Sequence, residues 1–341
     1  MSSTVPMISA LTLRGMPEFI HSEFGARALR KVYDQTGLPV GIMDVENAYI
    51  PEAALSGFIE AAARNAGDQH FGLQLTPYLS VASYGTWGRY VLEAPTLREC
   101  LVRFGQVIDL HASYRSWTTF AEGNLVWIRY RFQIEKSENY ANLAYCGVGV
   151  LANIIRHYAG TDWHPEAVEF DIDRPRRSLG IQRSFSCDLH FKASGIGVAF
   201  RKDLLGLRRA GVPVAKPTSL ADVRRSRTSQ VPTTLPDAVA EIIRVQVRKG
   251  QVNMDATARI LDMGTRRLRR QLEREGASFR EMTRTIRTDL AKELIAGTSM
   301  PISAISTDLG YANTAIFSRA FSRDVGLKPS TFRTMTAHLQ M

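Results

Sequence analysis

The sequence predicts a mixed α+β region followed by an all-helical region, which contains two helix-turn-helix units joined by a long helix. Both alternating and helical apolar patterns occur in the first part of the 341 residues, and only helical patterns occur in the last part. A segment rich in Pro, Ser, Thr and Arg separates the two parts. A chain of this length holds about two domains. We therefore expect an α+β domain at residues 1–212, a linker at 213–235 and a helical domain at 236–341.

The first region combines amphipathic helices with short strands. Apolar residues at helical spacing predict helices at Phe24–Thr36, Pro51–Asn65, Thr96–Leu110 and Glu138–Tyr158. Runs of β-branched and aromatic residues predict strands at Tyr114–Phe120, Leu125–Gln133, Ala167–Ile172 and Gly197–Arg201. The first two strands are separated by Ala121-Glu122-Gly123-Asn124, a tetrad suited to a hairpin turn. This mixture is typical of the α+β class.

The last region contains only helical patterns. The predicted helices are Asp237–Arg248, Asp255–Leu261, Thr265–Glu275, 278–296, 299–308, a short helix capped by Asn313, and Pro329–Met335. The helix at 278–296 has 19 residues, so it is about 28 Å long at about 1.5 Å per residue. That length suits two reading helices about one duplex turn apart, roughly 34 Å.

One short pattern occurs twice in this region. It comprises Gly264–Leu272 and, 49 residues later, Asn313–Phe321. In each copy a capping residue precedes a helix whose apolar anchors are four residues apart, Leu268 and Leu272 in the first and Phe317 and Phe321 in the second. A short helix, a tight turn and a second helix with a polar outer face form the geometry that places the second helix in a DNA major groove. Two copies predict a chain that reads two neighbouring groove segments.

The outward positions of the two helices predict the DNA contacts. These candidates are Thr265, Arg266, Arg269, Arg270, Thr314, Ala315, Ser318, Arg319 and Arg323. Arginine matches the O6 and N7 atoms of guanine, and small side chains suit a thymine methyl or a close backbone approach. The pattern leaves open which arginines contact phosphates rather than bases, and whether the Ser and Thr residues are only helix surface.

The charge distribution agrees with a nucleic-acid partner. Residues 236–341 carry 17 Lys and Arg against 11 Asp and Glu, whereas residues 1–212 carry 22 against 21. The basic excess thus lies in the helical region and the linker, where phosphate would be met. A solvated basic face without a partner would give the same distribution.

Other classes of protein find little support in the sequence. There is no Walker loop, no GxSxG motif and no dinucleotide glycine fingerprint, so we expect no catalytic residues and no cofactor. The three cysteines are far apart and the histidines are dispersed, so we expect no metal site. No signal peptide is evident and the most apolar stretch, Leu143–Ile155, is shorter than the roughly 20 residues of a membrane span. We expect a cytoplasmic protein with no membrane partner.

Residues 253–333 resemble the DNA-binding domain of the AraC/XylS family of bacterial transcription regulators. The second unit carries the most specific features, from the turn Leu309-Gly310-Tyr311 to the closing Gly326, Pro329, Phe332 and Arg333. The first unit fits through Ala258, Leu261, Met263, Leu268, Arg270, Leu272, Gly276 and Phe279. The chain departs from the family at Asp262, where Gly is usual, at Gly264, where Ser is usual, and at Ser306 and Lys328.

Residues 45–205 resemble, more weakly, the arabinose-binding-like sensing domain of a branch of this family that includes ornithine-utilisation regulators. The similar segments are Phe71-Gly72-Leu73, Ser83-Tyr84-Gly85, Ala94-Pro95-Thr96-Leu97 and Phe185–Phe191. The resemblance implies that this region binds a small-molecule effector and forms a homodimer. The candidates for effector contact are Tyr84, Trp87, Trp117, Trp127, Arg129, Arg131 and Tyr145. Arg129 and Arg131 would suit a carboxylate. The alternative, which the pattern favours, is that the arginines form the solvated face of a sheet and that most of the aromatic residues belong to the core.

Together these features predict a regulator that binds double-stranded DNA and, with its effector, activates transcription through RNA polymerase. A regulator without a ligand, whose first 212 residues act only in oligomerisation or partner binding, is the first alternative. An enzyme domain fused to a DNA-binding tether is the second.

Overall fold

The computed structural model describes residues 4–45, 47–114, 116–134, 140–175, 179–210, 215–227, 230–250 and 252–339. Contacts between residues divide the chain into two units. The N-terminal unit comprises Pro6–Leu38 and Glu46–Pro232, and the C-terminal unit comprises Met1–Val5, Pro39–Val45 and Thr233–Met341.

Two sheets organise the N-terminal unit. Strands β1 (Met7–Ser9) and β2 (Tyr49–Pro51) pair antiparallel. The second sheet contains β3 (Trp117–Glu122), β4 (Leu125–Tyr130), β5 (Ala167–Glu169), β6 (Asp188–His190) and β7 (Ile196–Arg201). Its strand order is β3-β4-β7-β5-β6, and only the β5–β6 pair is parallel among the described strands. Every residue of the central strand β7 except the last, Arg201, is buried. The hydrophobic core therefore packs against this strand.

Helices surround these sheets. They are α1 (Met16–Thr36), α2 (Glu52–Ala66), α3 (Phe71–Leu75), α4 (Gly85–Leu92), α5 (Leu97–Val107), α6 (Tyr140–Ala159), α7 (Leu179–Phe185) and α8 (Leu220–Ser226). The most buried of them is α6, which packs against α2, α3 and β7. Helices packed around a mostly antiparallel sheet confirm the predicted α+β class.

Several N-terminal elements differ from the sequence prediction. The span α1 begins at Met16 rather than Phe24, and Gly25 (φ 82°, ψ 168°) is non-helical, so that α1 consists of two helical parts that meet at a kink. The helix predicted at Thr96–Leu110 ends at Val107 and continues as a 3₁₀ turn. Thr96 caps its start, because the Thr96 hydroxyl accepts from the Glu99 N–H. The hairpin turn has only two residues, with Gly123 at φ 59°. The three-residue strands β1, β2 and β6 are too short to give a period in the sequence.

The segment predicted as a linker contains helix α8. Ser219 and Asp222 form a reciprocal capping box at its start, and Val223 is fully buried. The Thr218 N–H donates to Glu93 Oε2 (2.6 Å), and Ser113 Oγ donates to the Pro232 carbonyl (2.7 Å). These contacts show that part of the Pro- and Ser-rich segment packs on the N-terminal unit. Its composition predicted a linker rather than helix α8, whose start is marked by the capping box.

The C-terminal unit is helical in its longest segment, as predicted. Its helices are α9 (Leu235–Arg248), α10 (Met254–Ile260), α11 (Thr265–Arg274), α12 (Phe279–Gly297), α13 (Ile302–Asp308), α14 (Thr314–Val325) and α15 (Pro329–Leu339). Asn253 and Asn313 cap α10 and α14 with their side-chain oxygens. Helix α12 packs against α9, α13, α14 and α15. The long helix α12 is therefore the element around which the other helices of the C-terminal unit pack.

Candidate nucleic-acid interface and internal cavity

The two helix-turn-helix units, α10–α11 and α13–α14, share the same turn geometry. The Met263 N–H donates to the Ala258 carbonyl (2.9 Å), and the Tyr311 N–H makes the equivalent bond to the Ser306 carbonyl (3.0 Å). The residue before each donor is left-handed, Asp262 at φ 51° and Gly310 at φ 76°. This arrangement satisfies the last carbonyls of the first helix and redirects the chain into the second.

The predicted apolar anchors fix the orientation of each second helix. Leu268 and Leu272 of α11, and Phe317 and Phe321 of α14, are at most 2% exposed. Phe321 also packs edge-on against Phe332 of α15, with ring centroids 5.6 Å apart. Because the anchors lie one turn apart, the opposite side of each helix faces solvent.

The solvent side of α11 carries arginines. Arg266, Arg269 and Arg270 are exposed, and no hydrogen bond or ion pair within the described residues engages them. At about 100° per residue, Arg270 points most directly away from the two buried leucines. Thr265 is less free, because its hydroxyl donates to Asp255 Oδ1 at 2.6 Å. Three arginines and one threonine thus lie in the first half of α11. That they contact DNA remains a prediction.

The solvent side of α14 is less basic. Ala315, Arg319 and Arg323 are exposed, whereas Thr314 and Ser318 are half-buried. Arg323 is paired with Asp324 (Nε–Oδ1 2.9 Å), an exposed contact that water and phosphate can replace at little cost. The sequence prediction omitted Ile316, whose side chain is 40% exposed on this helix. An exposed apolar side chain can contact a thymine methyl. The sequence signal for Ile316 was its position directly before the buried anchor Phe317.

A groove beside α14 combines two of the predicted residues, Ser318 and Arg319, with residues that the sequence prediction missed. Arg319, Lys328 and Ser330 line it together with Ile302, Ser318, Ser322 and Pro329. Helix α15 begins at this groove and has no acidic residue in its first turn. Free backbone N–H groups and the helix dipole favour an anion at such a terminus. Two cations and a helix N-terminus make this groove suited to a DNA phosphate.

The N-terminal unit encloses an apolar cavity of about 60 Å³. By the same measure a water molecule needs about 10–15 Å³, so the space would hold several. Of the predicted effector residues, Tyr84 and Trp87 line this cavity. Trp117, Trp127, Arg129, Arg131 and Tyr145 lie outside its lining. The structure therefore brings only two of the seven candidates together.

The other five candidates have partners or lie in solvent. Trp117 stacks on Phe104 (centroids 4.1 Å apart), Tyr145 packs against Phe170, and Arg131 is exposed. The Trp127 Nε1–H donates to Glu122 Oε2 at 3.0 Å. The Arg129 guanidinium donates twice to Glu169 Oε2, at 2.7 and 2.9 Å. No local pattern indicates Glu169 as a partner of Arg129, because the two residues lie 40 positions apart.

One side of the cavity carries a histidine. His111 stacks between Tyr84 and Trp87, with ring centroids 5.2 and 4.5 Å away. Its Nε2 lies 3.3 Å from the Thr12 hydroxyl. Burial lowers the pKa of His111 to about 3, so the ring is neutral at physiological pH.

The thiols show no activation. Burial raises the pKa of Cys100 and of Cys187 to about 12, which disfavours the thiolate that a nucleophile requires. No three His, Cys, Asp or Glu side chains among the described residues are grouped as metal ligands. No helix of the described residues has both the length and the apolar character needed to cross a membrane.

Comparison with known proteins assigns the chain to a family. The model of the arabinose-binding domain of AraC transcription regulators (N-terminal) matches residues 27–208, and a helix-turn-helix domain model matches residues 257–335. The HTH-type transcriptional regulator VirS of Mycobacterium tuberculosis is 25% identical over 96% of each chain. The ornithine utilization regulator of Pseudomonas aeruginosa is 31% identical over 92% of each chain. The crystal structure of the transcriptional regulator CdpR from Pseudomonas aeruginosa covers 92% of this chain and 98% of its own, at 19% identity and a TM-score of 0.40.

These matches span both units, and the relatives are transcription regulators rather than enzymes. The chain belongs to the AraC family of transcription regulators and is a DNA-binding protein.

Proposed function

We propose that this regulator responds to a small-molecule effector and activates a catabolic or adaptive operon. In this proposal residues 236–341 bind the operator, residues 1–212 bind the effector and pair two chains, and the 213–235 segment connects them. Bound effector would favour the arrangement of the dimer that contacts RNA polymerase. An effector shifts such an equilibrium only if it binds one arrangement better than the other.

The observation that carries the DNA-binding part is the pair of equivalent recognition helices. Each has two fully buried anchors and at least one exposed arginine on the opposite side. Helix α12 joins the two helix-turn-helix copies and, at about 1.5 Å per residue, is about 28 Å long. That length suits two adjacent major-groove segments on one face of the duplex.

The effector part is supported by the cavity in the N-terminal unit. Its walls are largely apolar and include a few polar groups, as small-molecule sites generally do. The ligand-independent alternative lacks such a supporting observation, because oligomerisation alone gives no reason for an unfilled space in the core.

A footprint on the promoters that adjoin the gene tests the proposal. We expect the full-length protein to protect two consecutive major-groove segments per chain and to change its occupancy when the effector is added. Arg270→Glu together with Arg319→Glu should abolish protection. Arg98→Glu, at an exposed position of α5, supplies a control with charge reversal outside the interface. Protection that survives the double reversal would show that these helices do not read the DNA.

A further inference from the structure

Strand β3 forms one edge of the five-stranded sheet and turns backbone groups to solvent. The Arg131 N–H donates to the Ser116 carbonyl (3.0 Å), so these two residues form a hydrogen-bonded pair of the β3–β4 ladder. Counted from this pair, every second residue of β3 bonds to β4. The residues between them turn their N–H and C=O groups away from β4: Trp117, Thr119 and Ala121. No hydrogen bond within the described residues reaches these outward groups.

This edge lacks the features that protect edge strands from pairing with another chain. Such features are a short strand, charged side chains, proline or a β-bulge. The opposite edge, β6, has only three residues and includes Asp188. Strand β3 has six residues without Pro, Lys or Arg, its register with β4 contains no bulge, and residues 118–122 are exposed. The β3 edge can therefore accept a further strand.

Two copies of β3 are complementary to one another when they run antiparallel with Thr119 opposite the partner's Thr119. In this register Trp117 lies opposite the partner's Ala121, and every outward residue joins a pair that exchanges two backbone hydrogen bonds. Thr118 then lies opposite the partner's Phe120, whose side chain is 36% exposed in the single chain. Threonine pairs and pairs of an aromatic with a β-branched residue are favourable neighbours across antiparallel strands.

The side chains on the α5 side of β3 fit the same register. Trp117 stacks on Phe104 of α5, with ring centroids 4.1 Å apart. Thr119 and Ala121 point to the same side as Trp117 but are exposed. The helix thus covers only one end of this side of the strand. In the paired arrangement the partner's Trp117 covers Ala121, whose small side chain leaves room for the indole.

Charges at the ends of the strand agree with this register. Glu122 lies opposite the partner's Ser116, and the next residue across the ladder is the partner's Arg131. Two strand spacings, about 10 Å, separate the Cα atoms of Glu122 and this arginine, a gap that the two long side chains can close over the small serine. Arg131 is exposed and has no side-chain partner within the described residues, and Glu122, which accepts from Trp127 Nε1, has acceptor sites left. Such an exposed pair adds little affinity but helps to select the register.

We propose that two copies of this chain pair through β3, so that their two sheets become one continuous sheet with a two-fold axis at Thr119. The partner is a second copy because β3 is complementary to itself in backbone hydrogen bonds, in side-chain size and in charge, as a two-fold interface requires. This inference rests on the proposed pairing of two chains by residues 1–212 and names the surface that forms the pair.

Sedimentation velocity of the full-length protein and of two variants, Thr119→Lys and Thr119→Asp, tests the proposal. Because the axis passes through Thr119, each variant places like charges directly opposite one another in its own dimer. We expect the dimer of each variant to dissociate with a Kd about tenfold or more above that of wild type. An equimolar mixture of the two variants should pair again, because lysine then lies opposite aspartate. Asn124→Lys, which adds the same charge in the exposed hairpin turn, is the control and should pair as wild type does.

The outcomes separate this interface from the proposed function. If both variants pair as tightly as wild type, or if their mixture pairs no better than either alone, the β3 interface is wrong and the pairing of two chains still stands. A wild-type chain that stays monomeric overturns the interface and the pairing together, and leaves the edge to a strand of another protein. If the variants dissociate but protect the promoter and activate transcription as wild type does, the interface stands and the proposed role of the dimer in activation fails.

Discussion

Arg129 and Glu169 form an ion pair across a glycine of the central strand. Nη2 lies 2.7 Å from Oε2, and both residues are register partners of Gly197 in β7. A Cβ on Gly197 would approach Glu169 Oε2 to 3.0 Å, so the absence of a side chain there leaves room for the pair. The Arg129 guanidinium also lies over the Phe120 ring, 4.8 Å from its centroid. Arg129 therefore links three strands of the sheet, and its charge is already neutralised.

The first prediction concerns this pair. From the sequence Arg129 is a candidate effector contact, whereas the ion pair indicates that Arg129 contributes to stability. We expect Arg129→Ala to lower the free energy of unfolding by about 1–3 kcal/mol, because Glu169 loses its partner in a half-buried site. Thermal unfolding of the full-length chain measures the loss. Arg131→Ala, at the exposed neighbouring position, is the control, and an effector response lost in Arg129→Ala at full stability would contradict the assignment.

The difference between the two regions shows what the sequence could predict. In the C-terminal unit the caps, anchors and turns are formed by residues close in sequence, so Asn313, Leu268 and Phe317 identified the helices and their outward faces. The cap of α10, Asn253, is equally local but was not predicted. Arg227, by contrast, reaches Ser9 across 218 positions of sequence. No local sequence pattern predicts that contact. The basic residues around Arg227 suggested a solvated linker instead.

The second prediction concerns Glu52. Burial raises the pKa of its carboxyl from 4.5 to about 7. The folded chain therefore holds this proton more tightly than the unfolded chain, and stability falls as pH rises from about 4.5 to about 7. The ionised form costs up to roughly 3 kcal/mol once pH exceeds 7. We expect Glu52→Gln to raise the unfolding temperature at pH 8 and to have little effect at pH 4.5.

Two features make the Glu52 test specific. The Gln133 N–H donates to Glu52 Oε2 at 2.7 Å, and the amide oxygen of glutamine can still accept this bond. Glu23→Gln, at an exposed position of α1, should leave the pH profile of stability unchanged. Equal stabilisation by Glu52→Gln at both pH values would mean that ionisation of this carboxyl is not the cause.

The third prediction concerns the two left-handed turn residues. Asp262 of the first helix-turn-helix occupies the position that Gly310 has in the second, and both residues are left-handed. A left-handed backbone conformation is costly for a residue with a Cβ. We expect Asp262→Gly to raise the free energy of unfolding by about 0.5 kcal/mol, after the added entropy of glycine in the unfolded chain. Gly310→Ala should lower it by about 1 kcal/mol. Asp308→Gly, in the last turn of helix α13, is the matched control and should destabilise; calorimetry that finds the same sign for both aspartates would refute the reasoning.

The fourth prediction separates base reading from phosphate binding. Arg270 points away from the anchors of α11, whereas Arg319 shares its groove with Lys328 and the start of α15. We expect Arg270→Ala to weaken operator binding by about 1–3 kcal/mol and to relax preference at one base pair. Arg319→Ala should weaken binding to all sequences alike and reduce the slope of log affinity against log salt by about 1. Titrations of operator and scrambled duplex at several salt concentrations measure both quantities. A salt slope that changes for Arg270→Ala but not for Arg319→Ala would reverse the two roles, because a lost phosphate contact must release fewer counterions.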